Sequence, residues 1–243
     1  MIERIKKYIN LAKDYIFPVF CLGCGEEVVW LCEDCQKKID ASGIWCCPVC
    51  HHETSIGVCC GPCQKESFLD AHLAIAPYQE ESLIGKLIAA LKYQYAEEVK
   101  VVFASLIKKF VSDHSDVFQS IDIIIPVPLH KKRFAERGYN QAEIIAMIAG
   151  KELNLPILNA LERHRPTKQQ AKLKREERLV NLKDAFILKP NADVGGKKIL
   201  LVDDVFTTGS TMQECAKVLK AVGAVEVSGF SAARGQIDFR LLI

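Results

Sequence analysis

An α/β domain on a mostly parallel sheet, preceded by a small cysteine-stapled module, is the architecture that the sequence predicts. Ten of the eleven cysteines crowd between Cys21 and Cys63, and from Phe68 onward short aliphatic runs alternate with helical patterns. One of those runs, Ile199 to Val202, ends in two adjacent acids before a hydroxyl-rich turn that opens a helix. With 243 residues and an ordinary apolar content, the chain is long enough to bury a substantial core. Its formal charge of +2 points to no globally charged partner, so any anion site must be local.

Residues 1–17 place Ile2, Ile5, Ile9, Ala12 and Ile16 at helical spacing, which predicts a short amphipathic helix docked on the next domain. The alternative is a helix on a membrane surface. Glu3, Arg4, Lys6, Lys7, Lys13 and Asp14 interrupt this segment, so it lacks the apolar core of a signal peptide. No run elsewhere approaches the roughly 18–20 apolar residues of a membrane span. The expected location is the cytoplasm.

Residues 18–67 hold four C-x2-C pairs: Cys21 and Cys24, Cys32 and Cys35, Cys47 and Cys50, Cys60 and Cys63. Two residues between cysteines let a tight knuckle aim both thiolates at one tetrahedral metal, and two knuckles close a four-sulfur structural site. Four pairs therefore predict two Zn²⁺ ions. The loops between Cys24 and Cys32 and between Cys50 and Cys60 are short for a ribbon, and sequential or interleaved pairing fits equally. A disulfide scaffold is the competing reading, and a reducing compartment disfavours it. Cys46 and Cys59 sit beside pair members and are expected to be packed or spare thiols. A shell closed by sulfur leaves no position for a catalytic water, so the module is expected to be structural or an interaction platform.

Residues 68–243 read as strand near His72–Pro77, helices near Ser82–Lys92 and Val99–Ser112, and a buried strand Ile121–Ile125. A polar loop and a helix Gln141–Leu153 follow, then a basic stretch Arg163–Lys183. Strand Lys198–Val202, helix Thr211–Val222 closed by Gly223, and strand Val225–Ala232 complete the pattern. Strand, helix, strand in this order implies parallel pairing, with ligands at the carboxyl ends of the strands.

Asp203 and Asp204, at the tip of a strand, can accept hydrogen bonds from two vicinal ribose hydroxyls. The turn Thr207, Thr208, Gly209, Ser210, Thr211 offers backbone N–H groups and hydroxyls to a phosphate at a helix N-terminus. The G-x4-G-K-[ST] pattern of a nucleotide P-loop is missing here. A second strand-end loop carries Lys131, Lys132, Arg133 and Arg137 ahead of Asn140, a candidate helix cap, and its charge suits a diphosphate or simply a solvated turn.

The thirteen residues Ile199–Thr211 resemble the phosphoribosyl pyrophosphate (PRPP) signature of type I phosphoribosyltransferases. Order narrows the resemblance further: a double zinc ribbon, then P-V-P-L-x-x-x-R-x-x-x-R-G-Y-N-Q, then T-x-x-Q-x-x-L-x-x-x-E-R-x-x-N-L at Thr167–Leu182, then the signature. From about residue 18 to Arg234 the chain is similar to the ComF proteins of bacterial natural competence. The resemblance implies a type I phosphoribosyltransferase-like parallel sheet flanked by helices, preceded by a small zinc-ribbon domain. It implies that Asp203 and Asp204 hold the ribose hydroxyls, that Thr207, Thr208, Gly209, Ser210 and Thr211 cradle the 5-phosphate, and that Lys131, Lys132, Arg133 and Arg137 form the pyrophosphate loop. Mg²⁺ is expected to arrive with PRPP, and Asp204 is the candidate general base should a nitrogen nucleophile displace pyrophosphate. Some proteins with this signature serve as regulators, so PRPP binding is the firmer expectation.

Thr167–Asn181 is the expected hood over the site, with Gln170, Arg175, Arg178 and Asn181 as candidate contacts to an acceptor or a nucleic-acid backbone. Arg163–Lys183 carries eight cations against two acids and could track phosphates, but holds no aromatic residue to stack bases. The family further implies a link to DNA uptake, with single-stranded DNA and a helicase-like competence protein as partners. Lys92 and Arg234 flank plausible site positions without an assigned role.

Overall fold

The computed structural model describes residues 18–27, 29–93, 96–165, 182 and 184–235. The expected N-terminal helix of residues 1–17 lies outside them, as do the hood residues Gln170, Arg175, Arg178 and Asn181.

In chain order the main elements are α1 (Glu33–Gln36), β1 (Ile44–Trp45), β2 (Ala71–Tyr78), α2 (Leu83–Tyr93), α3 (Ala96–Asp113) and β3 (Ile123–Pro126). There follow α4 (Lys131–Arg137), α5 (Gln141–Leu153), β4 (Leu161–Arg163), β5 (Phe186–Leu188), β6 (Lys198–Phe206), α6 (Ser210–Ala221) and β7 (Glu226–Gly235). The main sheet runs β1-β2-β7-β6-β3, parallel throughout except for β1, and β4 with β5 forms a separate antiparallel pair.

Both faces of the sheet are covered, which is why its strands read as continuous apolar runs. Along β6, Leu200 and Val202 join Ile124 of β3, Phe230 of β7 and the helices α2, α3 and α5 in one core. Ile199 and Leu201 point the other way, into a second core with Ile123, Ile125, Phe186 and the α6 residues Met212, Cys215 and Leu219. The period-two alternation of a strand thus feeds two layers of packing from four consecutive apolar residues.

The cysteine-rich segment is built onto this sheet. β1 pairs with β2 in the register Ile44 with Ala74 and Trp45 with Leu73, and Trp45 stacks on Phe110 of α3 with ring centroids 5.8 Å apart. The Gln36 amide of α1 donates to Ser105 Oγ at 2.7 Å, and the Trp30 indole donates to Glu98 at 3.2 Å, both across to α3.

One expectation needs correction. Residues after β3, read as a polar loop, form the helix α4. His130 caps it by accepting from the Lys132 N–H through Nδ1 at 3.2 Å, and Gly138 ends it in the left-handed region at φ 80. A run of cations bounded by a cap and a stop folds as two helical turns although it has little apolar periodicity.

Candidate active site

Asp203 and Asp204 sit where β6 outlasts its apolar run. Parallel pairing with β7 continues past Val202, through Asp203 with Ser231 to Phe206 with Arg234, so the two acids are held in a strand and not on a loose tip. The Asp204 N–H donates to Asp203 Oδ1 at 2.9 Å and the Val205 N–H donates to Asp204 Oδ1 at 2.8 Å. Burial, with Asp204 beside it, pushes the Asp203 carboxyl well above the usual carboxylate range, against the pull of the Asp204 N–H and of Lys92.

Lys92, the penultimate residue of α2, places its Nζ 2.8 Å from Asp204 Oδ2. Burial opposes its charge, but Asp204 outweighs burial and raises the ammonium pKa above its ordinary value. Lys92 is therefore a cation inside the site, in contact with the acid pair.

The turn after β6 leads into α6 through Gly209, whose φ of 76 is the left-handed conformation that glycine adopts without penalty. The N-cap position, Gly209, makes no side-chain cap hydrogen bond, and Thr208 Oγ1 lies 2.8 Å from Ser210 Oγ. First-turn N–H groups and a cluster of hydroxyls are what a phosphate dianion requires of a helix start.

These elements surround one cavity of about 380 Å³. Asp203, Asp204 and the whole run Thr207–Thr211 line it together with Lys92, Arg133, Arg137 and Arg163. The cationic wall comes from different places in the chain. Arg133 and Arg137, four apart on α4, share one helical face. The Arg137 guanidinium donates to Gln141 at 2.9 Å, and the α5 cap Asn140 donates to the Val127 carbonyl at 2.9 Å, tying the start of α5 to the end of β3. Arg163, at the end of β4, is almost fully buried and lies over the Phe186 ring at 5.5 Å. Burial and then Arg133 lower its pKa.

Not every expected cation enters. Lys131 turns away to pair with Glu162 at 3.0 Å, and neither Lys131 nor Lys132 lines this cavity. Arg163 and Tyr78, which sequence reasoning did not place in the site, do line it, as does Lys92, which the sequence only placed beside plausible site positions.

The eight paired cysteines gather into two groups in sequential order, Cys21, Cys24, Cys32, Cys35 and Cys47, Cys50, Cys60, Cys63, with the sulfurs of each group within 4.8 Å of one another. Sγ separations of 3.8 Å (Cys21 to Cys32), 3.7 Å (Cys24 to Cys32) and 3.6 Å (Cys50 to Cys60) match the edge of about 3.8 Å in a tetrahedron of Zn–S bonds near 2.3 Å. They are far too long for disulfides. Burial raises the thiols of Cys21 and Cys47, but nearby backbone N–H groups overcome it and bring both to about 6. Cys46 and Cys59 belong to neither group.

A parallel sheet with strand-end acids, a hydroxyl-rich loop at a helix start and an opposing cationic helix defines a phosphoribosyltransferase-type domain, and residues 93–230 match the family described as Phosphoribosyl transferase domain. Competence protein ComFC of Streptococcus pneumoniae is 32% identical over 207 residues, covering 84% of this chain and 87% of that protein. Competence protein ComFC of Bacillus subtilis is 26% identical over 248 residues, covering 93% and 99%. Competence protein F of Haemophilus influenzae is 39% identical over 115 residues, 46% of this chain, and that match spans half of its length. The chain belongs to the ComF family of phosphoribosyltransferase-domain proteins, with cysteine groups that fit its N-terminal zinc ribbon.

Proposed function

We propose that this chain binds PRPP and, as the names of its relatives suggest, serves in the uptake and use of DNA during natural competence, in the cytoplasm. The observation that carries the first part is the convergence of the acid pair, the loop Thr207–Thr211 and the arginines Arg133 and Arg137 on one cavity. The loop amides and hydroxyls take the 5-phosphate, Asp203 and Asp204 accept from the ribose hydroxyls, and the two arginines face the diphosphate. Asp203 and Asp204 are the oxygen donors that would hold Mg²⁺, which when bound neutralises diphosphate charge. Each cysteine group would hold one Zn²⁺ as a structural ion.

Should a nitrogenous acceptor be present, Asp204 is the candidate general base. The arginines stabilise the charge that develops on departing pyrophosphate. No helix among the described residues is long and apolar enough to cross a membrane.

Isothermal titration of PRPP, with and without Mg²⁺, tests the binding site. Saturable, Mg²⁺-dependent heat is expected, and its absence at any practical concentration would remove the ligand assignment. Pyrophosphate release on adding bases or single-stranded DNA separates turnover from binding alone. Titration with single-stranded DNA at rising salt tests for phosphate contacts, because affinity carried by them falls steeply.

A further inference from the structure

Arg234, the penultimate residue of β7, is buried to 2% exposure, and its guanidinium joins two parts of the molecule. Nη1 donates to the Cys46 carbonyl at 2.8 Å and Nη2 to the Cys47 carbonyl at 2.7 Å, so it clamps the start of the knuckle that carries Cys47 and Cys50. Nη2 also lies 2.9 Å from His51 Nδ1, on the residue that follows Cys50. The guanidinium carbon Cζ lies over the Phe206 ring, 4.7 Å from its centroid.

His72 completes the assembly. Ser231 Oγ donates to the Ala233 carbonyl at 2.9 Å, which leaves it to accept from His72 Nε2–H at 3.2 Å. His72 Nδ1 is then bare and accepts from Arg234 Nη1 at 3.2 Å. One neutral tautomer satisfies every partner. The same ring packs on Phe206 with centroids 3.8 Å apart.

Phe206 is the last residue of β6 and enters the phosphate loop directly. A Cβ on Gly209 would stand 2.5 Å from Phe206 Cζ, so the loop glycine rests on this ring with no room between them. From the second cysteine group to the phosphate loop the path is therefore two carbonyls, one guanidinium, one aromatic ring and one glycine.

We propose that Arg234 is a positioning residue that couples the second cysteine group to the phosphate loop, so that a filled group favours the loop conformation that binds a sugar phosphate. The inference rests on the phosphate-loop reading of Thr207–Thr211. Coupling of two sites is reciprocal: a ligand on the loop must tighten the metal site by the factor by which the metal tightens the loop.

The test uses the full-length, metal-loaded protein and a chelating dye that reports metal release. Ribose 5-phosphate is the probe, and its binding to the wild type is measured separately by calorimetry. Release in two phases is expected, with saturating ribose 5-phosphate slowing one of them by about fivefold or more, the low end of ordinary coupling. Arg234→Lys keeps the charge but loses the planar fork that reaches carbonyls and rings together. In this variant the slowing should vanish while both phases remain. If ribose 5-phosphate binds the wild type and neither phase slows, the coupling is refuted and the phosphate-loop reading stands. If Arg234→Lys retains full protection, Arg234 is not the link. No calorimetric binding to the wild type overturns both readings. The wild-type arm needs no variant to fold, and Phe206→Leu probes the path from its other end with the same expected loss.

Discussion

Lys92 Nζ and Asp204 Oδ2 stand 2.8 Å apart, so helix α2, outside the segment Ile199–Thr211, supplies the counter-ion for an acid inside it. The lysine offsets the repulsion between the adjacent acids Asp203 and Asp204. Lys92→Met removes that offset. Its expected cost is on the order of 2 kcal/mol, as for a partly buried charged hydrogen bond, read as a lower midpoint in urea unfolding with an unchanged slope. An unchanged midpoint would show that water replaces the lysine at no cost.

Asp203 carries a pH signature of opposite sense to a usual carboxylate. A carboxyl held above its unfolded value binds its proton more tightly in the folded state. Its stabilising contribution is thus full below the unfolded pKa of about 3.9 and is lost as pH rises through the folded value. Asp203→Asn should therefore match the wild type in acid and exceed it at neutral pH. Tm should rise by roughly 2–4 °C for each kcal/mol recovered. The double variant Asp203→Asn with Asp204→Asn should lose PRPP binding altogether, and retained affinity would contradict the ribose assignment.

The two arginines and two lysines of α4 should separate cleanly. Arg133→Gln and Arg137→Gln, in the cavity, should each weaken PRPP by about tenfold or more, the value of a charge-assisted hydrogen bond in a desolvated site. Lys131→Gln and Lys132→Gln should change it by less than about threefold, as exposed pairs and charges do. Equal losses across all four would mean that the helix acts through its field alone.

Sequential cysteine grouping makes a stoichiometric prediction. Metal analysis of anaerobically purified protein should find about two Zn²⁺ per chain. Replacing Cys21, Cys24, Cys32 and Cys35 together by Ser should leave about one, because the second group is untouched. An interleaved arrangement would lose both.

Gly209→Ala should be far more harmful than Gly138→Ala. Both glycines have left-handed backbones, with φ of 76 and 80, but a methyl at 138 meets open space while one at 209 drives into Phe206. Backbone strain of about 1–2 kcal/mol is common to both. Only the variant at 209 should also lose PRPP affinity, by about tenfold or more.

The sequence made much of this legible, and the reasons are local. Asn140 accepts from the Ala142 N–H at 3.2 Å, which is why helix α5 starts at Gln141 as its sequence predicts. The strand Lys198–Val202 was visible from the apolar run Ile199–Val202, but its extension to Phe206 depends on hydrogen bonds to β7 that no single-segment pattern shows. Lys92 and Arg234 act through Asp204 and His72, the latter 162 positions away, so nothing near either residue marks its partner. Arg163 enters the site from a three-residue strand too short to carry a period. Helix α4 was hidden because charge, not apolar spacing, dominates it.

β2 would be the outer strand of the parallel sheet were it not for the cysteine-rich segment. β1 pairs along it, the Gly43 N–H donates to the Ile75 carbonyl at 3.2 Å, and Val58 bridges to Ala71 farther down. The sulfur-rich segment thus works as a hem on the sheet, occupying a strand edge that would otherwise be open to any other chain. Trimming it away would expose an apolar selvage along β2 that invites self-association.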